Sequence, residues 1–237
     1  MTLVVLLWLL AILLGLGAFA MVFSRSPIAT PVVYGVCLAV SATALALALI
    51  CLYGGASFPG PSLPEPSLPE QSVLPLGLPW LGAHFRLDAL SAFFLAIVNL
   101  GGAMASPYGI GYGRHESAAQ RVLPAFPPFL AGMNLVVIAD DAFTFVFAWE
   151  FMSLVSWALV MSHHRETGNA RAGFVYITMA SIGTLSLLLA FGLLAGADGG
   201  YSFSDMRVTD RSATAAGIAF VLVIIGTGSK AGLVPLH

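Results

Sequence analysis

The sequence predicts an all-α, polytopic integral membrane protein of about seven transmembrane helices. Three observations carry that prediction. Hydrophobic residues make up 59% of the 237 and charged residues only 8%, against about 25% charged in an ordinary soluble domain. The chain offers seven apolar runs, most of them near the roughly 20 residues a helix needs to cross a hydrocarbon core about 30 Å thick. Inside the runs the hydrophobicity is continuous and lacks the period-two alternation of a membrane barrel strand.

In chain order the spans are expected at about 2–23, 28–52, 88–105, 122–139, 142–162, 171–195 and 214–235. The first contains Ala18-Phe19-Ala20, an A-x-A pattern, but it has no basic start and its apolar run is too long for a cleaved signal. The second holds both cysteines, Cys37 and Cys51. On a helix they stand about 21 Å apart along the axis, so they cannot bridge to each other. With no C-x-x-C pair and no histidine inside a span, no iron–sulfur cluster or haem is expected, and no cofactor is assigned.

Composition shifts sharply after the second span. Seven of the 14 prolines lie in 59–79, and Pro61-Ser62-Leu63-Pro64-Glu65 is repeated at once as Pro66-Ser67-Leu68-Pro69-Glu70. This reads as a stiff, duplicated polyproline-type spacer without chemistry of its own. The organisation is therefore two helices in 1–52, a Pro-rich linker in 53–87 and the remaining spans in 88–237.

The third span opens after Asp88, and the fifth follows Asp140 and Asp141, where carboxylates favour a helix N-terminus. Asn99 and Asn134 are able to hold waters for proton transfer, although such residues more often hydrogen-bond between packed helices. His163 and His164 are adjacent and point about 100° apart on a helix, so they do not grip one metal together; no metal site is assigned. The short-loop arginines set direction. Arg25, Arg114, Arg121, Arg165 and Arg171 fall on one side and Arg86, Arg207 and Arg211 on the other, which favours an outside N-terminus, with the first set cytoplasmic. Nine Lys+Arg against 11 Asp+Glu give a net charge of -2, which leaves no basic surface for a nucleic acid.

Two residues do not belong in a bilayer, where a charge at mid-depth costs about 2.5 to 3.5 kcal/mol on insertion scales. Glu150 follows Asp141 by nine positions in the fifth span, about 13 Å along the helix and near the membrane centre. Lys230, the only lysine of the chain, lies in the seventh among Gly226, Gly228, Gly232 and Pro235. That glycine content predicts an interrupted helix, of the kind found where backbone lines a cavity. Burial disfavours an ammonium and a neighbouring carboxylate favours it, so a lysine between those pulls is suited to load and release a proton. The competing reading is a Glu150–Lys230 ion pair that only ties helices together, or a lysine that snorkels to the interface. Gly226-Thr227-Gly228-Ser229-Lys230 does not meet the phosphate-loop order and sits after no strand. Thr178, Ser181 and Thr184 in the sixth span and Thr227 and Ser229 beside the lysine are candidate proton-path groups; the duller role for such residues is helix–helix hydrogen bonding.

The glutamate of the fifth span, the lysine of the glycine-rich seventh and the closing Pro235-Leu236-His237 together resemble the antiporter-like subunits of respiratory complex I and its relatives. Within that superfamily the resemblance leans to hydrogenase 4 component B and the formate hydrogenlyase type. Arg86-Leu87-Asp88-Ala89-Leu90-Ser91-Ala92-Phe93-Phe94 looks like the family's opening of the third helix, and Arg171-Ala172-Gly173-Phe174-Val175-Tyr176 like that of the sixth. The resemblance implies Lys230 as the proton-loading lysine, Glu150 as its modulating partner and His237 as part of the path. It also implies about twice this length, with two inverted five-helix repeats, so a truncated or partial product is expected.

Three functions follow. The first is the N-terminal part of a proton-translocating subunit in the inner membrane. It would be catalytically silent alone, with other membrane subunits and a soluble redox arm as partners and H+ or Na+ as the ion. The second is a non-conducting anchor or scaffold of the same assembly. The third is a small secondary cation transporter.

Overall fold

The computed structural model describes residues 1–53, 68–113, 119–163, 168–197 and 199–234. The tandem proline repeat up to Ser67, Arg114, Arg165, His164 and His237 lie outside the described residues. Helices dominate: α1 (Thr2–Phe23), α2 (Ala29–Tyr53), α3 (Ala89–Tyr112), α4 (Ala119–Val122), α5 (Phe126–Ile138), α6 (Ala142–Val160), α7 (Asn169–Ala195), α8 (Phe203–Val208) and α9 (Ala213–Ala231). Strands β1 (Glu70–Leu74) and β2 (Ala83–Leu87) form a two-stranded sheet inside the stretch expected as linker. Seven helices are long and apolar enough to cross a membrane, with Gln120–Ile138 counting as one. Large apolar side chains such as Trp8, Met104, Phe147, Leu189 and Phe220 are exposed along them, the inside-out pattern of an all-round apolar helix facing lipid.

The contacts divide the chain into two compact units, one of residues 1–72 and 85–138 and the other of 73–84 and 139–237. In the first, α1 packs on α5 and α2 on α3. Small residues set the distances. A Cβ on Gly17 would meet the Pro128 ring at 2.3 Å, and one on Gly109 the Tyr34 ring at 2.5 Å. Close backbone approach of this kind is how helices associate in lipid, where apolar burial alone drives nothing. Asn99 Nδ2 donates to Asn134 Oδ1 at 2.6 Å, fully buried between α3 and α5. It is the interhelical bond expected of those residues.

Helix ends follow the sequence signals. Asp88 caps α3: its carboxylate accepts from Ser91 N, and the Ser91 hydroxyl answers from the Asp88 backbone N–H. Asp141 caps α6 through Thr144 N at 2.7 Å and also accepts His84 N at 2.8 Å. Together with the bonds from Asp140 N to His84 O and from Ala142 N to Tyr201 O, this seats the start of α6 against β2 and the segment before α8. The third span runs beyond the expected limit at 105, to Tyr112, with Pro107 inside it. The fourth is broken at 123–125, between α4 and α5, where Pro124 stands just ahead of Pro127 and Pro128 in the first turn of α5. Proline is tolerated there because those N–H groups have no helical partner.

Of the glycines of the seventh span only Gly232 ends the helix: α9 runs unbroken from Ala213 through Gly226 and Gly228 to Ala231 and stops at Gly232, whose φ of 71° is left-handed. Gly232 N and Leu233 N both return to the Gly228 carbonyl. Gly226 and Gly228 are buried inside the helix. Gly226 faces α7, where an added Cβ would come within 2.6 Å of Leu187. Its lack of a side chain serves packing.

Candidate functional site

The second unit gathers the residues of interest on α6, α7 and α9. α7 packs against both other helices, and its tightest seam is with α9. A Cβ on Gly183 would stand 2.1 Å from Ser229 Oγ and 2.9 Å from the Gly226 carbonyl. That seam brings the C-terminal turn of α9, and Lys230 with it, level with Tyr176 on α7 and Ser153 on α6.

Lys230 Nζ donates to Tyr176 Oη at 2.7 Å and to Ser153 Oγ at 2.8 Å. The amine lies 5.2 Å from the centroid of the Tyr176 ring. Ser153 is fully buried and passes its own proton to the Trp149 carbonyl at 2.8 Å, so its lone pairs are open to the amine. Glu150 stands one turn before Ser153 on the same face of α6. Its Oε2 accepts from Thr184 Oγ1 of α7 at 2.5 Å. Glu150 and Lys230, both half-buried, form no ion pair within 4.0 Å among the described residues.

Beside the amine a cleft of about 560 Å³ lies along α7 and the end of α9, lined by Arg171, Val175, Tyr176, Met179, Ser229 and Lys230. Glu150, Arg171 and Lys230 are the only charged residues on the three helices. Among the described residues no three His, Cys, Asp or Glu side chains are grouped to hold a metal.

Residues 139–237, which contain all of this geometry, match the family model described as NADH:quinone oxidoreductase/Mrp antiporter, transmembrane region. This stretch is similar to that antiporter-family transmembrane region. Relatives point the same way. Over 154 residues the chain is 34% identical to hydrogenase-4 component B of Escherichia coli, covering 64% of this chain and 23% of that protein. It is 28% identical over 167 residues to NADH-quinone oxidoreductase subunit N of Granulibacter bethesdensis, covering 68% and 35%. The fold matches a chain in the structure of the Mrp complex from Dietzia sp. with a TM-score of 0.73 at 22% identity, over 94% of this chain and 23% of that one. The chain thus spans about a quarter to a third of the length of these curated relatives.

Within the matched segment the singled-out residues divide. Lys230, Glu150 and Thr184 face one another's helices. Thr178 and Thr227 are exposed and bond the carbonyls of Phe174 and Val223 in their own helices. Ser229 bonds the Gly226 carbonyl and fills the seam at Gly183. Ser181 is half-buried, and His237 falls outside the described residues. Ser153 and Tyr176, the two groups that touch the lysine, were not singled out from the sequence. Ser153 had a readable signal, since it is a hydroxyl three residues after the span's only carboxylate. Tyr176 had only its place at the end of the Arg171–Tyr176 segment, because an aromatic in an apolar helix is ordinary.

Proposed function

We propose that this chain is the proton-conducting, antiporter-like part of a membrane subunit in a respiratory or hydrogenase assembly, with Lys230 loading and releasing the proton and Glu150 biasing it. The observation that carries this reading is the state of the pair. The lysine and the carboxylate sit in neighbouring membrane helices, yet each is bonded to a hydroxyl and not to the other. A contact ion pair would fix the ammonium; a separation beyond 4.0 Å leaves an attraction below about 4 kcal/mol at an effective dielectric near 20. An attraction bounded in this way is small enough for a conformational step to reverse. Such a site moves charge and makes or breaks no covalent bond in a substrate. The driving energy would come from partner membrane subunits and a soluble redox arm, in keeping with the respiratory and hydrogenase relatives.

The arginine distribution supports an outside N-terminus with Arg171 on the cytoplasmic side, and the respiratory and hydrogenase relatives make the inner membrane the proposed location. H+ is the proposed ion, since the charged groups the three helices place near one another, an amine and a carboxylate, both bind and release protons. The test is Lys230→Met in the complete assembly, reconstituted in vesicles with a pH-sensitive dye inside. Proton uptake is expected to disappear while the subunits still co-purify. Undiminished uptake would sink the proposal, as would uptake that follows a Na+ gradient and ignores the pH gradient.

A further inference from the structure

The contacts of Lys230 define a role for two residues with no assigned function. We infer that Ser153 and Tyr176 are positioning residues: a two-hydroxyl cradle that holds Lys230 Nζ in one place whether or not it carries the proton. The inference rests on the reading of Lys230 as the proton-loading group and adds what makes loading reversible.

The argument starts from donor and acceptor capacity. An ammonium has three donors and no acceptor; the neutral amine has two donors and gains one lone pair. A carboxylate suits only the first state, since it can accept and cannot donate. A hydroxyl suits both, because it accepts from an ammonium and turns to donate to an amine. Lys230 Nζ meets two hydroxyls at 2.7 and 2.8 Å. They come from different helices, α7 and α6, so the amine is fixed from two directions. Ser153, fully buried and with its own proton on the Trp149 carbonyl, is the fixed acceptor for an N–H of either state, and Tyr176 is the hydroxyl left to turn and donate to the neutral amine.

The charged groups around the amine are accounted for helix by helix. On α6 the only one is Glu150, engaged by Thr184. On α7 it is Arg171, which also lines the cleft, and Tyr176 is the other titratable group of that helix. α9 has none besides Lys230. The hydrogen-bond partners of the amine are thus neutral oxygens, with no carboxylate within 4.0 Å of it among the described residues. A hydrogen bond from an ammonium to a neutral oxygen favours the charged form, so removing either hydroxyl is expected to weaken proton loading without removing the loading group.

The chain itself supplies the probe. Lys230 is its sole lysine, so a membrane-permeant amine reagent reports its free-base fraction, read by mass spectrometry of the peptide that contains it. The assembled complex would be labelled briefly across a pH series. In Tyr176→Phe the midpoint of labelling is expected about one pH unit lower than in the wild type, the size that follows from losing one charge-assisted bond. Ser153→Ala should shift it the same way, and Ser153→Thr, which restores a hydroxyl, should return it. Labelling curves for Tyr176→Phe and Ser153→Ala that both overlay the wild type would overturn the cradle. So would a shift in Ser153→Ala that the threonine variant fails to reverse. Labelling does not require proton transport, so this outcome is separate from the fate of Lys230→Met.

Discussion

At the scale of single residues, placement is governed by where a polar group can be satisfied. Asp88 is the clearest soluble-side case. Partial burial alone would push its carboxyl up. The backbone N–H and hydroxyl of Ser91, with the Arg86 guanidinium 3.4 Å away, more than offset that and hold it below its ordinary value of 3.8. A carboxyl lowered on folding adds stability that is present above its unfolded value and is lost as the pH falls through its folded one. Asp88→Ala is therefore expected to destabilise the detergent-solubilised protein by about 1 kcal/mol at neutral pH. The difference from wild type should shrink below pH 3.8. Thermal unfolding at two pH values checks both halves, and a deficit that persists unchanged in acid would mean the cap is not the cause. Asp88 was legible as a cap because capping is local, decided within four residues. The partners of Lys230 were not, since Ser153 and Tyr176 lie 77 and 54 positions away.

At the scale of elements, the question is how two helices come close enough to place a side chain. The α7–α9 seam depends on Gly183 and Gly226, each under 3.0 Å from what a Cβ on it would meet. For Gly183 the obstacles include the Gly226 carbonyl, which is backbone and cannot swing aside. Gly183→Ala should then push α9 away from α7 and cost about 1 to 3 kcal/mol, the usual penalty for overpacking. Gly192→Ala is the control, since nothing lies within 4 Å of its Cβ position and helix propensity favours alanine. Comparing the midpoints of thermal aggregation of the two variants would decide it; equal midpoints would rule the seam out as a constraint. This seam also explains why Gly226 and Gly228 leave the seventh span continuous while Gly232 ends it. Glycine content in a membrane helix signals either a break or a close neighbour, and a lone strand of sequence does not say which. α7 supplies the neighbour, and α9 stays continuous until Gly232.

At the scale of the whole molecule, each of the two units has its own buried polar arrangement. One has the Asn99–Asn134 amide pair and the other the lysine, carboxylate and hydroxyl set. The first holds helices together; the second contains the only charges in its three spans. Orientation is a property of this scale too. With Cys37 and Cys51 replaced by alanine, Ser24→Cys next to Arg25 is expected to react with a membrane-impermeant maleimide only when the cytoplasmic face is open. Reaction in intact cells would reverse the assigned direction.

The sequence by itself determined the medium and the outline. With 8% charge and seven apolar runs, the cost of water is too high for any other solvent than lipid, and the helix is the fold that satisfies backbone polar groups there. It also marked Glu150 and Lys230, because a charge in hydrocarbon is conspicuous without any structure. What the tertiary structure alone decided is whom those charges meet. Hydrogen bonding acts over about 3 Å, while the residues concerned are separated by dozens of positions and brought together only when α6, α7 and α9 pack. Hence the ion pair suggested by two opposite charges gave way to two hydroxyl contacts on the lysine and one on the glutamate.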